Sequence, residues 1–188
     1  MTCKGCNAYR SKERIFEVPE NEKDESNFSR ALMRRIPAEV LLDMVSQSTG
    51  IDERFKGMPA GTRAIQLWDS KVPHYFLKLF GRPQRISTCS CERNHEPSVA
   101  QVLHLFNSPE IQRKLSHDRG TVARLVAARE NDRELVDDFY LTILSRLPTA
   151  NERDIAVSHL ANQASERRQA AEDFAWSLMN TLEFVFNH

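Results

Sequence analysis

Apolar side chains recur at helical spacing along much of the chain, most clearly in its second half. Behind Pro97 they fall at positions i, i+3, i+4 and i+7, which predicts a helix with one apolar face. From Asp132 to Arg146 they cover more than half the circumference of a helix, which predicts a central place in a bundle. The apolar residues are Val99, Val102, Leu103 and Phe106 in the first segment, and Leu135, Val136, Phe139, Tyr140, Ile143, Leu144 and Leu147 in or just after the second.

Proline and glycine mark the ends of two further helices. Because proline is favoured in the first turn of a helix and glycine just after its last, a helix is predicted from about Pro37 to Gly50. Pro73 and Gly81 bracket a shorter, aromatic helix in the same way. Between the two helices, residues Ala64–Trp68 are predicted as a short extended piece within an ordered connection.

Short polar side chains mark the starts of the remaining helices. Ser108 before Pro109 is typical of an N-cap followed by the first helical residue. Thr149 and Glu152 have the spacing of a capping box, and the last helix is predicted from about Glu166 to Phe186. No segment alternates convincingly between polar and apolar residues over more than a few positions. The predicted fold class is therefore all-α, an orthogonal bundle of about seven short to medium helices.

A domain boundary is predicted near residue 30. Residues 1–30 contain Pro19 and a charged run at 20–25 and are poor in large apolar side chains, which indicates an irregular N-terminal segment. Residues 31–188 form the predicted helical domain. Trp68 and Trp176 are expected to anchor packing within it.

The charges are balanced in number but not in position. The 188 residues include 26 basic and 26 acidic side chains, with a net charge of +6 over residues 1–129 and −6 over residues 130–188. Either the two parts attract each other across the fold, or the first part presents a basic face to an acidic partner. The overall balance argues against non-specific nucleic-acid binding, so no nucleic acid is expected as a partner.

The sequence predicts neither a transmembrane segment nor a secretory signal peptide. No apolar run approaches the roughly 20 residues of a transmembrane helix, so no transmembrane segment is predicted. Residues 1–10 lack the apolar stretch of a secretory signal peptide. Taken alone, these features favour a cytoplasmic location.

The four cysteines form two close pairs. Cys3 and Cys6 have the spacing that lets two sulfurs face one metal ion or form a redox disulfide. Cys89 and Cys91 are closer together than in the usual zinc knuckle, so the two pairs do not make a zinc ribbon. Structural thiols, a disulfide within or between the pairs, and a shared metal site are all compatible with this pattern.

The densest candidate site is the polar segment from Gly81 to Glu96. Its arginines can clamp an anionic ligand or the acidic group of a partner, or they can cap helix ends or pair with Glu92, Glu96 and the acidic C-terminal third of the chain. Cys91 with His95 lacks a visible orienting group and oxyanion site, so it makes a poor nucleophile and base. The candidates for anion or partner binding are Arg82, Arg85, Glu92 and Arg93, and those for a metal site or a disulfide are Cys89 and Cys91.

Known catalytic motifs are absent from the sequence. It contains no P-loop, dinucleotide fingerprint, GxSxG or HExxH motif, and no CxxCH motif for attaching a c-type haem. No catalytic residue and no cofactor is therefore predicted.

Several separate motifs together resemble a known family. They stand at residues 30–39, 80–83, 89–93, 101–109, 140–148 and 176–188. In this order they resemble the C-terminal part of a planctomycete-specific domain of unknown function, found at the end of large proteins that often also carry a cytochrome-c-like domain. The likeness covers about residues 27–188 and includes Cys89 and Cys91, but not Cys3 and Cys6.

The resemblance implies a place in a larger exported or cell-surface protein rather than a particular reaction. It also implies that this chain is a truncated copy, with residues 1–30 the remnant of a longer domain. The expected partner is then a protein, either the missing portion of the domain or a cytochrome-c-like domain. We expect a non-catalytic helical module. The alternatives are a metal- or redox-active site at Cys89 and Cys91, or an enzyme or binding domain for anionic ligands that uses Arg82, Arg85 and Arg93.

Overall fold

The structure, a computed structural model, describes residues 34–68, 72–82, 108–163 and 166–187. Within these ranges the chain forms eight α-helices, one 3₁₀ turn and one pair of two-residue strands, so the predicted all-α class is confirmed. The elements in chain order are β1 (Arg34–Arg35), α1 (Ala38–Thr49), the 3₁₀ turn (Ala64–Gln66), α2 (Tyr75–Leu79), α3 (Pro109–Leu115), α4 (Thr121–Ala128), α5 (Asp132–Leu144), α6 (Ala150–Asn162), α7 (Arg167–Met179), α8 (Leu182–Val185) and β2 (Phe186–Asn187).

The helix boundaries follow the local signals of the sequence. Pro37 stands directly before α1, and Gly50 follows it with a left-handed φ of 69°. Before α3, the Ser108 hydroxyl accepts a hydrogen bond from the Ile111 N–H at 3.5 Å, and Pro109 is the first helical residue. These boundaries lie where the sequence predicts them.

The capping box before α6 is formed in both directions. The Glu152 N–H donates to Thr149 Oγ1 at 3.3 Å, and the Thr149 N–H donates to Glu152 Oε2 at 2.8 Å. Because these bonds satisfy two donors that the helix itself leaves unpaired, they determine where α6 begins.

The predicted extended piece at Ala64–Trp68 is wrong, because the chain makes a 3₁₀ turn there. The buried carboxylate of Asp43 in α1 accepts hydrogen bonds from the N–H groups of Ala64 at 2.6 Å and Ile65 at 3.2 Å. Two adjacent N–H groups that point at one acceptor require a turn rather than a strand. The acceptor lies 21 residues before Ala64, so local pattern did not reveal it.

The predicted last helix is wrong in one respect, since it is broken near Asn180. α7 ends at Met179, and the Thr181 hydroxyl donates to the Leu178 carbonyl at 2.8 Å before α8 begins. Beyond α8 the chain becomes extended, because β2 pairs antiparallel with β1 and the Ile36 N–H donates to the Val185 carbonyl. Pairing with a segment about 150 residues earlier therefore replaces the final turns of the helix.

α5 lies at the centre of the bundle, as its apolar circumference predicts. It contacts α1, α4, α6, α7 and α8. The Phe139 ring meets the Phe174 ring of α7 edge to face, with 5.8 Å between centroids. Each large apolar side chain buried in this way contributes about 1.5–3 kcal/mol. Leu135, Val136, Phe139, Tyr140 and Ile143 are buried, whereas Leu144 is half-buried and Leu147 is exposed.

The two tryptophans do not behave alike. Trp176 is half-buried and packs against the core, as predicted. Trp68 is 78% exposed, so the prediction that it anchors packing is wrong. It follows the 3₁₀ turn that Asp43 organises, and this turn carries the tryptophan away from the core.

Some predictions concern residues outside the described ranges. These are the irregular segment at residues 1–30, the division of the chain at residue 30, and the helix behind Pro97. Among the described residues, no helix combines the length and the apolar character needed to cross a bilayer.

Candidate functional site

The site predicted between Gly81 and Glu96 lies almost wholly outside the described ranges. Gly81 and Arg82 are described, whereas the rest of the segment is not. The anion-binding and cysteine-site hypotheses therefore stay predictions. The candidate residues outside the described ranges are Arg85, Cys89, Cys91, Glu92 and Arg93.

Arg82 lies just after α2, and its side chain is only 8% exposed. Its Nη2 donates to the Leu67 carbonyl at 3.1 Å, and its Nε lies 3.6 Å from Glu39 Oε1 in α1. These contacts tie the end of α2 to α1 and to the chain after the 3₁₀ turn. They give Arg82 a part in packing, while its role in anion or partner binding stays a prediction.

A half-buried ionic cluster joins three distant chain segments at Glu53. Lys114 Nζ, in the last turn of α3, lies 2.8 Å from Glu53 Oε2, and His74 Nε2, just before α2, lies 3.7 Å from Glu53 Oε1. Lys114 Nζ also donates to the Ile51 carbonyl at 3.2 Å and to Ser46 Oγ at 3.3 Å. We call Glu53, His74 and Lys114 the Glu53 cluster.

The Glu53 cluster holds a carboxylate that stays ionised. Burial by itself raises the pKa of Glu53, but hydrogen bonds from His74 and Lys114 and their charges outweigh burial and lower the pKa from 4.5 to about 2. A carboxylate of such low pKa is a weak base near neutral pH. The cluster is therefore suited to clamping chain segments together rather than to proton transfer.

A second ionic cluster is centred on Arg146, just after α5. Arg146 donates from Nε and Nη2 to both carboxylate oxygens of Glu183 at 2.8 and 3.0 Å. It donates from Nη1 and Nη2 to both oxygens of Glu152 at 2.9 and 2.7 Å, and its guanidinium lies 5.1 Å from the centre of the Tyr140 ring. We call Arg146, Glu152 and Glu183 the Arg146 cluster.

The Arg146 cluster joins the ends of three helices. Hydrogen bonds from Arg146 are the largest influence on Glu152, and they lower its pKa to about 2. Hydrogen bonds to Glu152 and Glu183 likewise raise the pKa of Arg146. Every charged atom of this cluster has a partner within it. Through these bonds the cluster connects the end of α5 to α6 and α8.

No metal centre is present in the part of the chain that the structure describes. A small acidic pocket of about 350 Å³ lies beside Asp43, Asp52 and Glu53. Asp43 accepts from backbone N–H groups and Glu53 from Lys114. No group of three or more His, Cys, Asp or Glu side chains within the described ranges is placed to hold an ion.

An open groove of about 830 Å³ runs between α3 and α7. Its α3 wall includes Gln112 and Leu115, and its α7 wall includes Gln169, Asp173 and Trp176. Spacings of four and three residues place the three α7 side chains on one face of that helix. We call this feature the α3–α7 groove.

The ionic clusters and the groove were not predicted from the sequence. The Thr149 and Glu152 spacing revealed a helix start, but nothing local indicated that Glu152 also binds Arg146. Glu53 and Lys114 stand 61 positions apart, so only the folded chain brings them together.

Comparison with known proteins gives one match. The family described as PSD1, Protein of unknown function (DUF1553), matches residues 5–160. This range starts and ends earlier than the expected likeness over residues 27–188, and it includes Cys6. No curated protein and no solved structure matches the chain.

Proposed function

We propose that this chain, which belongs to the DUF1553 family of proteins of unknown function, is a non-catalytic helical module that packs against a partner protein. The observation that carries this proposal is a set of large apolar side chains left exposed near the 3₁₀ turn and α2. Ile65 is 58% exposed, Trp68 is 78% exposed and Tyr75 is 67% exposed. We call these three residues the 65–75 surface.

The elements that carry the 65–75 surface are neighbours in the fold. The 3₁₀ turn and α2 both pack on α1, and Arg82 after α2 donates to the carbonyl of Leu67. Single exposed apolar residues are ordinary on protein surfaces, but tryptophan and tyrosine are enriched at interaction sites. A partner that covers this surface would gain from burying both rings.

The ionisable side chains support a structural rather than a catalytic role. Glu53, Lys114, Arg146 and Glu152 are engaged with one another or with neighbouring groups in the two ionic clusters. A catalytic acid or base needs a group that can exchange a proton with substrate near the working pH. The two clusters instead hold carboxylates of pKa about 2.

The wider setting of the module is also a proposal. The resemblance noted in the sequence implies a larger exported or surface-associated protein, of a kind that often also carries a cytochrome-c-like domain. The partner of the 65–75 surface would then be the remaining portion of the domain or that cytochrome-like domain.

The experiment compares the wild-type protein with the double variant I65S/W68S. We expect the wild type to bind an apolar dye such as anilinonaphthalene sulfonate, or to self-associate in light scattering, because its apolar side chains at the 65–75 surface are exposed. We expect the double variant to lose most of that behaviour at unchanged helicity by circular dichroism.

The matched control is Ile155→Ser, which removes a similarly exposed apolar side chain on α6. It should leave dye binding and scattering unchanged. A wild-type protein that is a clean monomer without dye binding would count against the proposal. An equal loss in the control would show that the 65–75 surface is not special.

A further inference from the structure

The α3–α7 groove is lined mostly by polar and charged side chains, and Leu115 and Trp176 are its apolar members. Leu115 is buried at the α3 wall, and Trp176 is half-buried at the α7 wall. Asp173 is exposed and stands three residues before Trp176, so the carboxylate and the indole share one face of α7. Glu166 lies among the lining residues just before α7 and is also exposed.

The two arginines at the groove are already neutralised. Arg167 binds Asp132 at 2.9 Å and donates to the carbonyls of Val126 and Arg129, which end α4. These bonds direct its guanidinium to the junction between α4 and α5.

Arg168 is engaged in the same way. Its guanidinium lies 2.8 Å from Asp118 and 3.0 Å from Glu172, and it donates to the Ser116 carbonyl at 2.7 Å. Each of the two arginines is thus balanced by at least one carboxylate.

The groove therefore has an excess of negative charge. Within the described part of the chain, neither Glu166 nor Asp173 forms an ion pair. Carboxylates at the rim attract cationic groups.

We infer that the α3–α7 groove docks a segment of a partner protein that carries arginine among apolar residues. An arginine side chain fits this lining, because its planar head pairs with a carboxylate while its stem packs on apolar surface. The volume of about 830 Å³ accommodates several side chains. An acidic segment would be repelled by Glu166 and Asp173. This inference rests on the proposed role as an interaction module, and it concerns a different surface from residues 65–75.

The test uses the full chain carrying Trp68→Phe, which leaves Trp176 as the single tryptophan. A short peptide of arginine, leucine and alanine is titrated, and the fluorescence of Trp176 is followed. We expect a saturable change that weakens as salt is added. The same peptide with glutamate in place of each arginine should give none.

The variants locate the binding site. The neutral isosteres E166Q and D173N, combined in the Trp68→Phe background, should weaken binding by about tenfold, since two rim carboxylates lose their charge. Asp154→Asn makes the same type of charge change at an exposed position on α6 outside the groove, and it should leave the affinity unchanged. Circular dichroism confirms that each variant is folded.

Several outcomes would overturn the inference. These are an unchanged fluorescence, an equal response to the glutamate peptide, or an equal loss in Asp154→Asn. Self-association that the groove variants abolish would show that a second copy occupies the groove instead. The two proposals can fail separately. The peptide titration is run without Trp68, and the dye experiment changes no residue of the groove.

Discussion

At the scale of single residues, Gly50 shows how one position serves two requirements. Its φ of 69° ends α1 in the left-handed region that favours glycine. A Cβ at this position would also stand 2.6 Å from Thr121 Oγ1 and 3.3 Å from the Thr121 backbone nitrogen. The turn after α1 therefore depends on the absence of a side chain where it meets the start of α4.

Gly50→Ala should lower the free energy of unfolding by about 3 kcal/mol, since the left-handed conformation costs about 1–2 kcal/mol and the contact with buried Thr121 adds to it. Gly57→Ala is the matched control, because Gly57 has a φ of 81° but nothing within 4 Å of the added Cβ. It should lose only about 1 kcal/mol. Urea denaturation measures both, and equal losses would show that the contact with Thr121 costs nothing.

At the scale of elements, the Arg146 cluster joins three helices through ionic hydrogen bonds. Arg146 follows α5, Glu152 lies in the first turn of α6 and Glu183 lies in the first turn of α8. Because one guanidinium binds both carboxylates through two bonds each, it sets the relative positions of three helix ends.

Arg146→Met should lower the free energy of unfolding by about 2 kcal/mol, because it keeps the stem but leaves two partly buried carboxylates facing each other. Arg133→Met removes an exposed arginine that lies 3.5 Å from exposed Asp154, and it should change stability by less than about 0.5 kcal/mol. Thermal denaturation of both variants makes the comparison. Equal effects would mean that the Arg146 cluster is no stronger than a surface ion pair.

At the scale of the whole molecule, the two parts of opposite net charge are only partly joined by ion pairs. Arg129 reaches Glu134 and Asp138, and Arg168 reaches Asp118. The Glu53 and Arg146 clusters each lie within one part instead. Attraction between the parts therefore accounts for some contacts, while the main clusters join segments inside each part.

The free energy of unfolding should fall in acid, and part of that fall should come from protonation of Glu53. Its pKa is about 2 in the folded protein and 4.5 ordinarily, so its contribution is present above about pH 4.5 and is lost as the pH falls towards 2. Glu53→Gln should be less stable than the wild type at pH 7, and the difference should shrink between pH 4.5 and 2.

Urea denaturation at several pH values measures that difference. Glu110→Gln, at an exposed site on α3, serves as the control and should follow the wild type throughout. A difference between wild type and Glu53→Gln that stays constant with pH would contradict the role given to the Glu53 cluster.

The local features of this protein were predictable because their causes lie within a few residues. Pro37 with Gly50, Ser108 with Pro109, and the Thr149 capping box act through φ preferences and hydrogen bonds to the next turn. The apolar circumference of α5 likewise revealed its central position. The sequence alone thus determined the all-α class, most helix boundaries and the family resemblance.

The tertiary structure decided whatever depends on distant partners. Asp43 turned a predicted extended piece into a 3₁₀ turn and left Trp68 exposed, and β1 ended the last helix early. The Glu53 and Arg146 clusters and the α3–α7 groove likewise combine residues from separate elements. A buried carboxylate satisfies its hydrogen bonds wherever donors lie in space, and the spacing of residues along the chain does not record which donors those will be.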